Sequence, residues 1–192
     1  SISILTRILL KVDDLEATKK PKYSIIVHGG AFSIPDAIFK ASESGCRNAA
    51  MAGYKILEAG GNAIDAVEAA VCVTEADPEC TSVGYGGWPD RDGNVTLDAC
   101  IMDHTGNCGS VSFLQHIKHP ISVARKVMDK TPHVMLSGEG ALQFALKNGF
   151  HKEDLLTSKA REKWEEWLKD SKYKPIINIE NHIIYIIRFW IR

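Results

Sequence analysis

The apolar positions of this chain fall into strand-like and helix-like runs, and the places where the period changes predict its elements. Residues 23–27, Tyr-Ser-Ile-Ile-Val, are aromatic and β-branched and lie between Pro21 and Gly29-Gly30, the pattern of a buried strand ending in a tight turn. From Pro35-Asp36 a long helical pattern carries Ile38, Phe39, Ala49, Ala50, Met51, Tyr54, Ile56 and Leu57, and Gly60-Gly61 stops it. Asn62 is placed to cap a second helix, with Asp65 in its first turn. Ile64, Val67, Ala70, Val71 and Thr74 then recur at helical spacing until Asp77-Pro78 ends the run. The many alanines predict close packing against a sheet.

Val83-Gly-Tyr-Gly-Gly-Trp-Pro-Asp-Arg-Asp-Gly93 reads as a loop, with Asp92-Gly93 or Gly93-Asn94 as the turn before a strand over residues 95–102. Gly106 marks the next turn, which makes residues 108–114 the antiparallel partner. Pro120 suits the start of a helix over 121–129, with Val123, Val127 and Met128 facing inward. A short strand at 133–136, a helix at 138–148 stopped by Gly149, and a helix at 154–170 with Trp164, Trp167 and Leu168 on one face come next, before a last strand-like run. Such alternation belongs to an α/β domain, and it contains no internal repeat.

Three segments differ in character. Residues 1–22 read as an N-terminal extension: the apolar start is short, lacks a small-residue cleavage site and runs into charge. Residues 23–182 hold the periodic pattern. Residues 183–192, Ile-Ile-Tyr-Ile-Ile-Arg-Phe-Trp-Ile-Arg, form an apolar tail, too short and too interrupted by charge for a membrane span.

Composition adds exclusions. With 192 residues, 45% hydrophobic and 24% charged, the chain suits one domain with a sizeable core. Its net charge is −1 and its acidic and basic residues are mixed, so no basic face exists for nucleic acid or an anionic membrane, and neither is an expected partner. The five cysteines, Cys46, Cys72, Cys80, Cys100 and Cys108, contain no CxxC pair and read as buried thiols, although a Cys72–Cys80 bridge is conceivable in an oxidising compartment. His116-x-x-His119 lacks a carboxylate at ligand spacing, so no metal is expected, and no motif calls for a cofactor.

Several short motifs carry two readings each. His28-Gly29-Gly30-Ala31 follows a strand, so its amides either line a pocket for a carbonyl or carboxylate oxygen or simply turn the chain. Gly84-x-Gly86-Gly87 after Ser82 offers a second glycine-walled edge. Asp90-Arg91-Asp92 reads as a solvated turn, Asn94-Val95-Thr96 as a glycosylation sequon at a strand edge, and Ser137-Gly138-Glu139-Gly140 as a helix cap rather than a phosphate cradle.

Long blocks of the sequence are more specific. Ser82-Val-Gly-Tyr-Gly-Gly-Trp-Pro-Asp-Arg-Asp-Gly-Asn-Val-Thr-Leu-Asp-Ala-Cys-Ile-Met-Asp103, His119-Pro-Ile-Ser-Val-Ala-Arg-Lys-Val-Met-Asp-Lys-Thr-Pro-His-Val-Met-Leu-Ser-Gly-Glu-Gly-Ala141 and Tyr173-Lys-Pro-Ile-Ile-Asn-Ile-Glu-Asn-His182 resemble the N-terminal, α part of the glycosylasparaginases. These are N4-(β-N-acetylglucosaminyl)-L-asparaginases, relatives of plant-type L-asparaginases and isoaspartyl peptidases among the N-terminal-nucleophile hydrolases. The resemblance spans residues 23–182. It implies the first half of a four-layer αββα sandwich, made as a precursor that cuts itself before a threonine to give α and β chains. The threonine hydroxyl attacks the side-chain amide of an asparagine derivative, and its own α-amine, which titrates near pH ~8, takes the proton.

Where that resemblance calls for His-Asp-Thr-Ile-Gly, this chain has His182 followed by Ile183 and Ile184. Ile184 occupies the position of the nucleophile and has no atom able to attack. Gly30 stands where glycosylasparaginases have a pocket Trp, a wording shared with the asparaginase and isoaspartyl-peptidase branch, and Ser82 matches a pocket-lining position. The substrate-pocket candidates are thus Gly29, Gly30 and Ser82, with His182 a remnant of the cleavage motif. The resemblance implies the α part of an enzyme that hydrolyses the side-chain amide of (glycosyl)asparagine, inactive alone, in need of a β chain and prone to self-association; the alternatives are a non-catalytic homologue that binds a partner, or the α part of an L-asparaginase or isoaspartyl peptidase.

Overall fold

The computed structural model describes residues 23–29 and 36–170. Residues 1–22, Gly30, His182, Ile184 and the tail at 183–192 lie outside the described residues, as does the final strand-like run. Helix α1 (Asp36–Glu58) and α2 (Ala63–Ala76) form a hairpin closed at Gly60-Gly61. Strands β1 (Leu97–Met102) and β2 (Cys108–Leu114) pair antiparallel, α3 (Pro120–Lys130) crosses over, and β3 (Met135–Ser137) joins β2 in parallel. Helices α4 (Gly138–Lys147) and α5 (Ser158–Asp170) follow. The order is mixed α/β, with a three-stranded sheet β1-β2-β3. A parallel pair needs a crossover connection, and α3 supplies it.

Local chemistry explains most boundaries. Asn62 caps α2 as its sequence position predicts, its side-chain oxygen accepting the Asp65 amide at 2.9 Å. Pro120 opens α3, where a missing N–H costs nothing. Two loops of the same wording, Asp-x-x-Gly-Asn, bracket β1. In each, the first aspartate's Oδ1 accepts the amides two and four residues on: Asp92 and Asn94 for Asp90, Thr105 and Asn107 for Asp103. Each also pairs the aspartate amide with the carbonyl of its asparagine.

The core lies between one sheet face and the helices α3 and α4. Val111, Leu114, Ile117, Val123, Val127, Ala141 and Ala145 are buried together there. Val123 and Val127 point inward as their spacing predicts, and Met128 packs on their margin. Gly109 of β2 lies so close to the Ala124 carbonyl of α3 that a Cβ there would collide with helix backbone. The opposite sheet face is different. Pairing places Cys100, Met102, Cys108, Ser110 and Met135 on it, and Met102, Phe113 and Met135 are more than half exposed.

The structure corrects several expectations. Residues 23–27 form no strand; Tyr23 stacks its ring 5.4 Å from Tyr54 and Ile25 meets Gly53, so this segment lies on α1 instead of pairing with the sheet. The helix expected over 154–170 starts at Ser158, after Thr157 accepts the Ala160 amide. Its Trp167 and Leu168 are exposed, because α5 rests on a loop rather than on the sheet: Trp164 Nε1 donates to the Arg91 carbonyl at 3.2 Å. Ser137 holds the cap position of α4, yet its hydroxyl accepts from Ser112 Oγ instead of capping. None of the five cysteines is fully buried; all are free thiols and Cys100 is exposed, which also removes the Cys72–Cys80 bridge. No described helix is long and apolar enough to cross a membrane.

Candidate functional site

Residues 25–28, α2, β1 and the start of α3 enclose a cleft of about 490 Å³. Ala49, Val67, Ala70 and Ala99 give it apolar walls, and His28, Glu75, Ser82, Thr96 and Asp98 bring polar groups to it. An apolar concavity with a few converging polar side chains is the ordinary form of a small-molecule site.

Ser82 reaches this cleft through a tightly folded loop. Gly84 adopts φ +60° and abuts the carbonyl of Glu75 so closely that any Cβ would overlap backbone atoms. Tyr85 donates its amide to that same carbonyl at 2.8 Å, and Trp88 donates to the Thr81 carbonyl at 2.8 Å. Ser82 is therefore held at the rim, exposed, with its hydroxyl 3.5 Å from Cys80 Sγ. Gly84, Gly86 and Gly87 are buried in the loop and do not themselves wall the cleft.

His28 lines the cleft, whereas neighbouring Gly29 packs against α1, where a Cβ would stand 2.6 Å from Cys46 Sγ. Close helix packing thus accounts for that glycine. The structure brings Ser82 and His28 to one cavity; Gly30, His182 and Ile184 fall outside the described residues.

Sequence reading missed a polar junction under the cleft. Glu75 is buried, and its carboxylate accepts the Ile121 amide at 3.1 Å and stands 3.2 Å from His119 Nδ1. Cys72 and Glu75 both stabilise the proton on His119, and its pKa is pushed up to about 9. Burial pushes the Glu75 carboxyl above the usual carboxylate range, while His119 and the Ile121 amide oppose that shift. Beside this pair, Arg125 of α3 reaches Asp65 at 2.6 Å and Glu68 at 2.5 Å on α2. The only sequence signal was Glu75 on the inner side of an alanine-rich helix; its partners lie more than 40 residues away.

The loop that carries Ser82, the bracketed strand and the crossover helix are built from the same long blocks that the sequence reading singled out, and a family-wide comparison matches residues 21–184 to the family described as Asparaginase. The chain belongs to the asparaginase family. Within it, the chain is 65% identical over 129 residues to an N(4)-(Beta-N-acetylglucosaminyl)-L-asparaginase of Elizabethkingia miricola, covering 67% of this chain and 38% of that protein. It is 46% identical over 154 residues to a plant-type L-asparaginase of Pyrococcus abyssi, covering 79% and 49%. An isoaspartyl peptidase/L-asparaginase of Xenopus laevis is 38% identical over 151 residues, covering 77% and 48%. The chain therefore spans half or less of the length of these curated relatives.

Proposed function

We propose that residues 23–182 are the α part of an asparaginase-type amidohydrolase, whose nucleophile and remaining substrate groups come from a second, β part. The observation that carries this reading is the uncovered sheet face: helices pack on one side, while Met102 and Met135 stand exposed on the other. A sheet with one bare apolar face calls for a second layer, and in an αββα sandwich the β part supplies it. Ile184 in place of the family threonine makes the chain inactive alone.

The substrate class is an asparagine derivative whose side-chain amide is hydrolysed. Ser82 and His28, at the rim and wall of the cleft, are its contacts on the α side. Gly30 in place of a pocket Trp favours asparagine or isoaspartyl dipeptides over glycosylasparagine. The second reading, a partner-binding homologue without chemistry, rests on the same bare face.

Replacing residues 183–192 by Asp-Thr-Ile-Gly and a relative's β part tests the proposal. Self-cleavage before the new threonine and amidase activity are the expected results. Turnover by the unaltered chain overturns the inactive assignment, and a preference of the chimera for glycosylasparagine overturns the substrate assignment. A chimera that folds but neither cleaves nor hydrolyses favours the partner-binding reading.

A further inference from the structure

Cys72 and Glu75 lie three residues apart on α2 and so share one face of that helix. His119 meets them from the residue before α3. One donor atom from each side chain, a sulfur, a carboxylate oxygen and a ring nitrogen, lies within 4.8 Å of the other two. We propose that Cys72, Glu75 and His119 form a binding site for a divalent zinc-like cation held between α2 and α3.

The donor set chooses the ion. Thiolate and imidazole suit zinc and its neighbours in the transition series, whereas magnesium and calcium require oxygen ligands, of which this cluster offers a single carboxylate. Tetrahedral zinc, with bonds of about 2.0–2.3 Å, holds its donors roughly 3.3–3.8 Å apart, so rotamer adjustments of about 1 Å close the present spacing around an ion. Three protein ligands leave the fourth position to water.

The surroundings hold two of the three ligands. The Ile121 amide orients the Glu75 carboxylate at 3.1 Å. Ser122 Oγ stands 3.6 Å from Cys72 Sγ and is itself fixed by donating to Glu68 Oε1 at 2.6 Å. Arg125 ties the two helices through Asp65 and Glu68, so the ligands sit on elements that are already fastened together. Such outer partners set the orientation and affinity of metal ligands. Coordination releases the thiol proton of Cys72 and the proton on the coordinating His119 nitrogen to solvent, while the Glu75 carboxylate binds as the anion.

The test titrates the full, reduced chain with Co²⁺. A thiolate-to-cobalt charge-transfer band that saturates at equimolar ion and is displaced by Zn²⁺ is expected. Cys72→Ser abolishes the band, Cys108→Ser leaves it, and His119→Asn weakens binding by more than the roughly 10–100-fold that loss of an outer partner costs. A measurement on the unaltered chain removes any dependence on variant folding: Zn²⁺ should slow alkylation of Cys72, read by peptide mass, with the other four thiols as internal references. Absence of the band, its survival in Cys72→Ser, or Cys72 alkylation that ignores Zn²⁺ overturns the proposal.

Discussion

The Phe113 amide donates to the Asp98 carboxylate at 2.9 Å, across the point where the β1–β2 ladder slips by one residue. Phe113 has φ +51° there, an unfavourable conformation for a bulky side chain, so a side-chain acceptor replaces the backbone partner that the bulge removes. Asp98→Ala should destabilise the chain by about 1 kcal/mol, and Asp98→Asn by less, because the amide oxygen still accepts. Urea denaturation of the two variants checks the order; equal stability of all three chains would show that the bulge holds without the bond.

Gly84→Ala should be far more damaging. A Cβ there meets the backbone of Glu75, which cannot yield as a flexible side chain would, and the residue is held at φ +60°. A loss above about 2 kcal/mol is expected, with displacement of the Ser82 loop. Amide exchange at Tyr85 and Trp88, whose hydrogen bonds close that loop, reads the displacement directly.

The junction of Glu75 and His119 is open to titration. His119 titrates at about 9, raised from 6.5, through its hydrogen bonds to Cys72 and Glu75. The folded pKa exceeds the unfolded one, so the stability from this proton is complete below pH 6.5 and is lost as the pH rises through about 9. Glu75→Gln should move the His119 pKa down toward its ordinary value in an NMR titration. Glu75→Ala, which strands the Ile121 amide and the imidazole, should cost about 3 kcal/mol.

At the other end of the pH scale, Asp103 is held at about 2 by the Thr105 hydroxyl, against partial desolvation, with further help from the Thr105 and Asn107 amides and the Asn107 side chain. Its depressed pKa means that the turn is stabilised above pH 3.8 and loses that contribution as the pH falls through about 2. Thr105→Val should raise the Asp103 pKa toward 3.8, followed by the carboxyl carbon shift.

The bare sheet face should govern solution behaviour. Met102 and Met135 each expose more than half of their apolar surface on it, which favours association. Met102→Lys with Met135→Lys should shift sedimentation of the chain toward monomer without changing its secondary structure. A parent chain that already sediments as a monomer contradicts the expectation.

Where local chemistry decides, the sequence was legible. Asn62, Pro120 and the glycine turns placed their elements within a few residues, and the hairpin partner of β1 followed from turn spacing. The misses share a physical cause: tertiary partners overrode local pattern. Tyr23 and Ile25 have strand-like side chains but find Tyr54 and Gly53 of a helix. Trp167 and Leu168 have the spacing of an inner face, yet their helix sits on a loop. Ser82 was singled out from the block of residues around it, and it lines the cleft. The Cys72–Glu75–His119 cluster was not, since nothing in residues 72–75 announces a histidine that arrives 44 residues after Glu75.

Glu75 takes part in both sides of one cavity at once. Its carboxylate holds the entry to α3, and its main-chain carbonyl receives the loop that presents Ser82. Floor and rim are thus keyed to a single residue, so any small sway of α2 carries both along and leaves their separation unchanged. The 25–28 segment that carries His28 forms the wall of the opening that neither of these two Glu75 contacts ties down.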